Sequence, residues 1–114
     1  MSECIFCAIA SGRIPSQTLY SDDRVVAFRD VNPAAPVHFL VIPRAHIPTV
    51  SNLDSDSGGL LLTIHQVIGM LAKKEGIDRT GFRVVVNNGE GAGQSVGHLH
   101  YHVLGGREMG WPPG

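Results

Sequence analysis

Residues 98–104 read His-Leu-His-Tyr-His-Val-Leu, and this alternation constrains the fold more than any other stretch of the chain. A strand turns successive side chains to opposite faces, so the pattern puts His98, His100 and His102 on one side and Leu99, Tyr101 and Val103 on the other. The expectation is a strand over His98–Leu104 with its apolar side against a core or a partner. A merely wetted strand face is ordinarily built from Thr, Lys or Glu. Three imidazoles in five positions point instead to a site.

Two chemistries suit such a face. A His-x-His pair can ligate zinc that activates water. Alternatively, one imidazole can attack phosphorus, which needs a neutral ring with one nitrogen aimed in line and the other donating to a carbonyl. His100 stands between two further imidazoles, so geometry favours it as the attacker. The loop before the triplet adds backbone amides and polar side chains at Gly93-Gln94-Ser95, as an anion site requires.

The rest of the chain supplies a frame for that strand. Val25–Phe28 is a β-prone run between Asp22-Asp23 and Asn32-Pro33, Val37–Ile42 is closed by Pro36 and Pro43, and Phe82–Val86 lies between Gly81 and an Asn87-Asn88-Gly89 turn. Tyr20 and its neighbours add a short edge strand. Leu60 or Leu61, Ile64, Val67 or Ile68, and Leu71 recur at helical spacing, with Asp56 or Ser57 to cap the start and Gly76 the end. A shorter helix over Cys4–Ala10 stops before Gly12 and Pro15. The loop Asn88–Gly97 carries four glycines and reads as flexible, and Gly105-Gly106 reads as lying outside any regular sheet interior. This order predicts an α+β domain with an antiparallel sheet of about five strands, one long helix and one short one.

The 114 residues suit a single domain over 1–114. Hydrophobic residues at 43% and charged residues at 17% argue against disorder. A formal net charge of -1 gives no field to attract nucleic acid or an anionic membrane, so any phosphate must be held locally. No apolar run approaches the roughly 20 residues of a spanning helix, and no basic segment leads into an apolar signal core, so the expectation is a soluble, cytoplasmic protein. Cys4 and Cys7 have no other cysteine to pair with, which excludes a disulfide framework and leaves half a metal site or a redox pair.

The stretch His98–Leu104 resembles the signature of the histidine triad (HIT) family of nucleotide hydrolases and transferases. Ile5-Phe6, Arg13-Ile14-Pro15, Phe28-Arg29-Asp30-Val31, Ala35–Pro43, Gly93-Gln94-Ser95-Val96, Val103–Arg107 and the ending Trp111-Pro112-Pro113-Gly114 are similar to its Hint branch, the purine nucleoside phosphoramidases. The resemblance spans essentially the whole chain. It implies that His100 is the nucleophile that takes up the nucleoside monophosphate, and that His98, His102 and His38 flank nucleophile and phosphate. Asp30 would receive the ribose hydroxyls, as a carboxylate can by accepting two hydrogens. Phe6, Ile14, Phe28, Val31 and Leu40 would wall the base. Asn87, Gln94, Ser95 and Val96 would contact the phosphate or leaving group, with Ser95 delivering a proton to the departing amine.

The same resemblance implies a homodimer in which the long helix and the Phe82–Val86 strand pair across a two-fold axis and Trp111 reaches toward the partner's site. Gly97 and Gly110 stand where animal members commonly carry an aromatic residue and a His. Cys4-x-x-Cys7 is similar instead to bacterial members in which Cys4, Cys7, His46 and His98 would hold a structural zinc, while catalysis needs no cofactor. The activity implied is hydrolysis of adenosine or guanosine 5'-phosphoramidates to the monophosphate and an amine. The alternatives are a dinucleoside polyphosphate hydrolase of the Fhit type and a non-catalytic purine-nucleotide-binding adaptor.

Overall fold

The computed structural model describes residues 4–114. Helix α1 (Ile5–Ala10) is followed by strands β1 (Thr18–Ser21), β2 (Val25–Arg29) and β3 (Val37–Pro43), helix α2 (Gly58–Lys74), and strands β4 (Phe82–Val86) and β5 (Tyr101–Gly105). The strands form one antiparallel sheet in the order β1-β2-β3-β5-β4. The expected α+β class and antiparallel sheet are therefore present.

Local chemistry explains the elements. The β1–β2 turn is held by Asp22, whose Oδ1 accepts from the backbone N–H of Arg24 and of Val25 at 2.7 Å each. Ser57 stands at the N-cap of α2, one of the two residues expected there, but makes no side-chain cap bond; Asp54 caps the 3-10 turn at Ser55–Ser57 just before it by accepting from the Asp56 N–H. At the other end Gly76 takes φ +76, the left-handed conformation that terminates a helix and favours glycine.

The period of two divides the sheet into two faces. Val25 and Ala27 of β2, Phe39 and Val41 of β3, and Tyr101 and Val103 of β5 pack with Leu99 against Ile64, Val67, Ile68 and Leu71 of α2. Val26, Phe28, Leu40 and Ile42 point the other way and meet Phe6 of α1. Because α2 covers one face and the six-residue α1 only part of the other, the second face keeps open space beside His100 and His102.

Two expectations shift. The last strand begins at Tyr101, not His98, because the next β3 positions bring Leu99 opposite Pro43, which has no N–H to give. The Leu99 N–H donates instead to the Ile47 carbonyl at 2.6 Å. Gly105 does belong to the sheet: it closes β5 between Val37 of β3 and Phe82 of β4. Among the described residues no helix is long and apolar enough to cross a membrane.

Candidate active site

Four hydrogen bonds place the ring protons of His38, His98, His100 and His102. A carbonyl oxygen only accepts, so the 2.7 Å contact of His100 Nδ1 with the His98 oxygen puts the His100 proton on Nδ1 and leaves a lone pair on Nε2. His98 Nε2 lies 2.8 Å from the Pro43 oxygen and donates to it, so its lone pair is on Nδ1. The Ala34 N–H donates to His38 Nδ1 at 3.0 Å, so His38 carries its proton on Nε2, where it reaches His102 Nδ1 at 3.0 Å. His102 then holds its own proton on Nε2. These assignments need neutral rings. Burial pushes His38 and His98 below the ordinary histidine value. Burial, together with the neighbouring His100 and His38, takes His102 down to about 4, against the opposing pull of Asp30.

Beside His100 and His102 a cavity of about 720 Å³ opens on the face opposite α2. Phe6, Phe28 and Leu40 are its buried walls, and Ile14 and Val31 are exposed residues at its rim. Asp30, Ser95 and Val96 also line it. One Asp30 oxygen accepts from the Asn32 N–H at 2.8 Å, while the other faces His38 Nε2 at 3.4 Å and His102 Nδ1 at 3.9 Å. Ten residues expected at the site are thus brought together: Phe6, Ile14, Phe28, Asp30, Val31, Leu40, Ser95, Val96, His100 and His102.

Others are placed elsewhere. His38 sits behind His102 rather than on the cavity wall. Asn87 and Gln94 lie outside the lining, and both ends of the Gln94 amide are engaged, Oε1 by the Gly89 N–H and Nε2 by the Pro48 and Val96 carbonyls. The Gly93 and Gln94 amides donate to Glu90 and Gly89 within the loop, so the expected flexible anion loop is instead a braced 3-10 turn at Glu90–Ala92. Trp111 is 82% exposed and away from this chain's own cavity. Sequence reasoning missed Ile5, Ile9, Pro15, Ser16, Gln17, Arg29 and Asn32 in the lining. Ile9 was findable, three residues after Phe6 on the same short helix.

His98 is fully buried and turns away from the cavity. Its Nδ1 faces Cys4 Sγ at 3.2 Å and Cys7 Sγ at 3.5 Å, while His46 Nδ1 lies 3.3 Å from Cys7 Sγ. The four donor atoms all lie within 4.8 Å of one another. Zinc bonds of about 2.3 Å to sulfur and 2.0–2.1 Å to nitrogen set tetrahedral ligand atoms about 3.5 Å apart, close to the 3.2–3.5 Å separations between thiols and imidazoles here, so the two cysteines and two histidines suit zinc. Cys4 Sγ also accepts the Cys7 N–H at 3.0 Å. The grouping separates His98 from His100, which does not favour a shared His-x-His metal that activates water.

A family model described as the HIT domain matches residues 11–109. The chain is 42% identical to Protein HitA of Neisseria gonorrhoeae over 105 residues, covering 92% of this chain and 97% of that protein. Among solved structures, a HIT family hydrolase from Legionella pneumophila Philadelphia 1 superposes with a TM-score of 0.97 at 46% identity, covering 98% of this chain and 100% of that one. A histidine triad nucleotide-binding protein from Candida albicans superposes with a TM-score of 0.82 at 34% identity, covering 96% and 83%. With the alternating imidazoles seated beside a cavity, these likenesses extend over nearly the whole sequence: the chain belongs to the HIT domain family.

Proposed function

We propose that this chain is a purine nucleoside phosphoramidase of the Hint branch. One observation carries the reading: His100 has its Nδ1–H fixed on the His98 carbonyl, which leaves Nε2 as the ring nitrogen free to face a cavity of nucleotide size. The names of the Legionella hydrolase and the Candida nucleotide-binding protein support both halves of it. The purine lies between Phe6, Phe28 and Leu40, and the ribose hydroxyls donate to Asp30. His100 Nε2 attacks phosphorus as the P–N bond to the amine breaks, and the amine leaves with a proton passed through Ser95. Water then attacks the nucleotidyl-histidine, releases the monophosphate and restores the ring. His38 acts through His102, holding it with Nε2–H available to a phosphoryl oxygen.

Cys4, Cys7, His46 and His98 would hold a structural zinc, which supplies a closed four-ligand cross-link rather than a reactive water. The chain is proposed to pair as a homodimer through α2 and β4, since Phe82, Val84 and Met70 are exposed on that side. Incubation with adenosine and guanosine 5'-phosphoramidates, beside a dinucleoside polyphosphate, tests the activity. Release of monophosphate from the phosphoramidates first and fastest is expected. Faster polyphosphate cleavage favours the Fhit-type reading, and nucleotide binding without turnover favours an adaptor.

A further inference from the structure

Helix α1 has only six residues, yet it serves two sites. Cys4 and Cys7 meet His46 and His98, while Ile5, Phe6 and Ile9 wall the cavity. Phe6 joins the two: its ring stands edge-on to Phe28 at 5.5 Å, to His100 at 5.1 Å and to His98 at 6.0 Å. A helix this short has no stability of its own, because nucleation is costly and isolated helices below about 12 residues are marginal. What holds it to the sheet is packing, the Arg44 guanidinium on the Ala10 carbonyl, and the contacts of the two cysteines. A second path runs through His98. The residue whose Nδ1 faces the thiols also presents the carbonyl that holds His100 Nδ1–H.

We propose that metal occupancy at Cys4, Cys7, His46 and His98 and nucleotide occupancy of the cavity are thermodynamically coupled through α1 and the His98 backbone. The proposal rests on the zinc and nucleotide readings above. Ligation of Cys4 and Cys7 fixes the helix that carries Phe6. Ligation of His98 fixes the carbonyl that sets the tautomer and direction of the His100 ring. The nucleotide, packed on Phe6 and His100, stabilises the same arrangement from the other side. Coupling of binding free energies is reciprocal, so the factor by which metal raises nucleotide affinity must equal the factor by which nucleotide raises metal affinity.

The test measures both factors on the full chain. Zinc affinity of the loaded protein is read by competition with a chromophoric chelator, with and without saturating AMP. AMP affinity is read by calorimetry before and after chelation. Both are expected to rise by the same factor, of about five or more. Phe6→Leu, which leaves all four ligands in place, is expected to shrink that factor while one zinc per chain is retained. Zinc held equally tightly with and without AMP overturns the coupling and leaves the zinc reading standing. A chain that takes up no zinc, or binds no AMP in either form, overturns the coupling together with the corresponding reading. If chelation unfolds the chain, the competition arm decides alone, since it is performed on loaded protein.

Discussion

Replacing Gly105 by alanine tests how closely the segment after α2 packs on the strand that carries His102. Gly105 is buried at the end of β5, and a β-carbon there would meet Cβ, Cγ2 and Cδ1 of Ile77, each at 2.8 Å. Comfortable carbon contacts lie at about 3.5–4.0 Å, so something must move by roughly 1 Å. Turning the Ile77 side chain cannot relieve the clash, because its Cβ is itself a contact. The Ile77 backbone is pinned by its N–H to Ala72 and by the Gly81 N–H to its carbonyl, at 3.0 and 2.9 Å. Ile77 is also only 3% exposed. Overpacking of this kind costs about 1–3 kcal/mol, equivalent to a fall in Tm of about 4–12 °C for a chain of this size. Ile77→Ala alone leaves a cavity costing about 2–5 kcal/mol. In the double variant the contacts with Cγ2 and Cδ1 are gone and only the one with Cβ remains, so the combined loss should fall short of the sum by about 1 kcal/mol. Urea unfolding of the four proteins, followed by far-UV circular dichroism, measures the cycle. A Gly105→Ala protein as stable as the parent, or strict additivity, refutes the packing argument.

Three further outcomes are expected. Asp30→Ala should weaken binding of AMP by about 1–3 kcal/mol, the cost of ribose hydroxyls left without a partner, and should scarcely change binding of the 2',3'-dideoxy analogue; equal losses for both would place Asp30 away from the sugar. His102 titrates near 4 when folded against a reference value of 6.5, so between those pH values the unfolded chain binds a proton that the folded chain does not. Stability is therefore lost as pH falls through this window, by up to about 3 kcal/mol from this group, and urea titrations should show a shallower acid loss in His102→Asn. Removing Met109–Gly114 should alter the preference among amine leaving groups more than the rate with any one good leaving group, and the parent should sediment as a dimer; a monomeric parent or an unchanged preference series contradicts the shared-site reading.

The division of the triad strand into two faces was legible because imidazole and apolar residues alternate without a fault from His98 to Val103. Where that strand begins was not legible, since it depends on a partner residue: Pro43 lies too far away in sequence to be paired with Leu99 by inspection. The helical stripe from Leu60 to Leu71 located α2 and Ser57 stands at its N-cap, but the capping bond itself was not legible, because Asp54 makes it to the 3-10 turn that precedes the helix. The glycine-rich loop read as flexible since composition reports backbone freedom and not the side chain that removes it. A single amide, Gln94, braces the loop by bonds to Gly89, Pro48 and Val96. The cavity walls on α1 and β2 were legible through family resemblance. Ser16 and Gln17 were not, because they enter the lining from an irregular segment that carries no period.

The central claim is that the lone pair on His100 Nε2 becomes the nucleotidyl carrier. Rapid mixing with adenosine 5'-phosphoramidate, quenching without acid and peptide mass spectrometry will locate the covalent adduct. The nucleotidyl group is expected on His100, and His100→Ala is expected to lose turnover by of the order of 10⁴-fold or more while AMP still binds through Asp30 and the aromatic walls. An adduct on any other residue, or sustained turnover by His100→Ala, contradicts it.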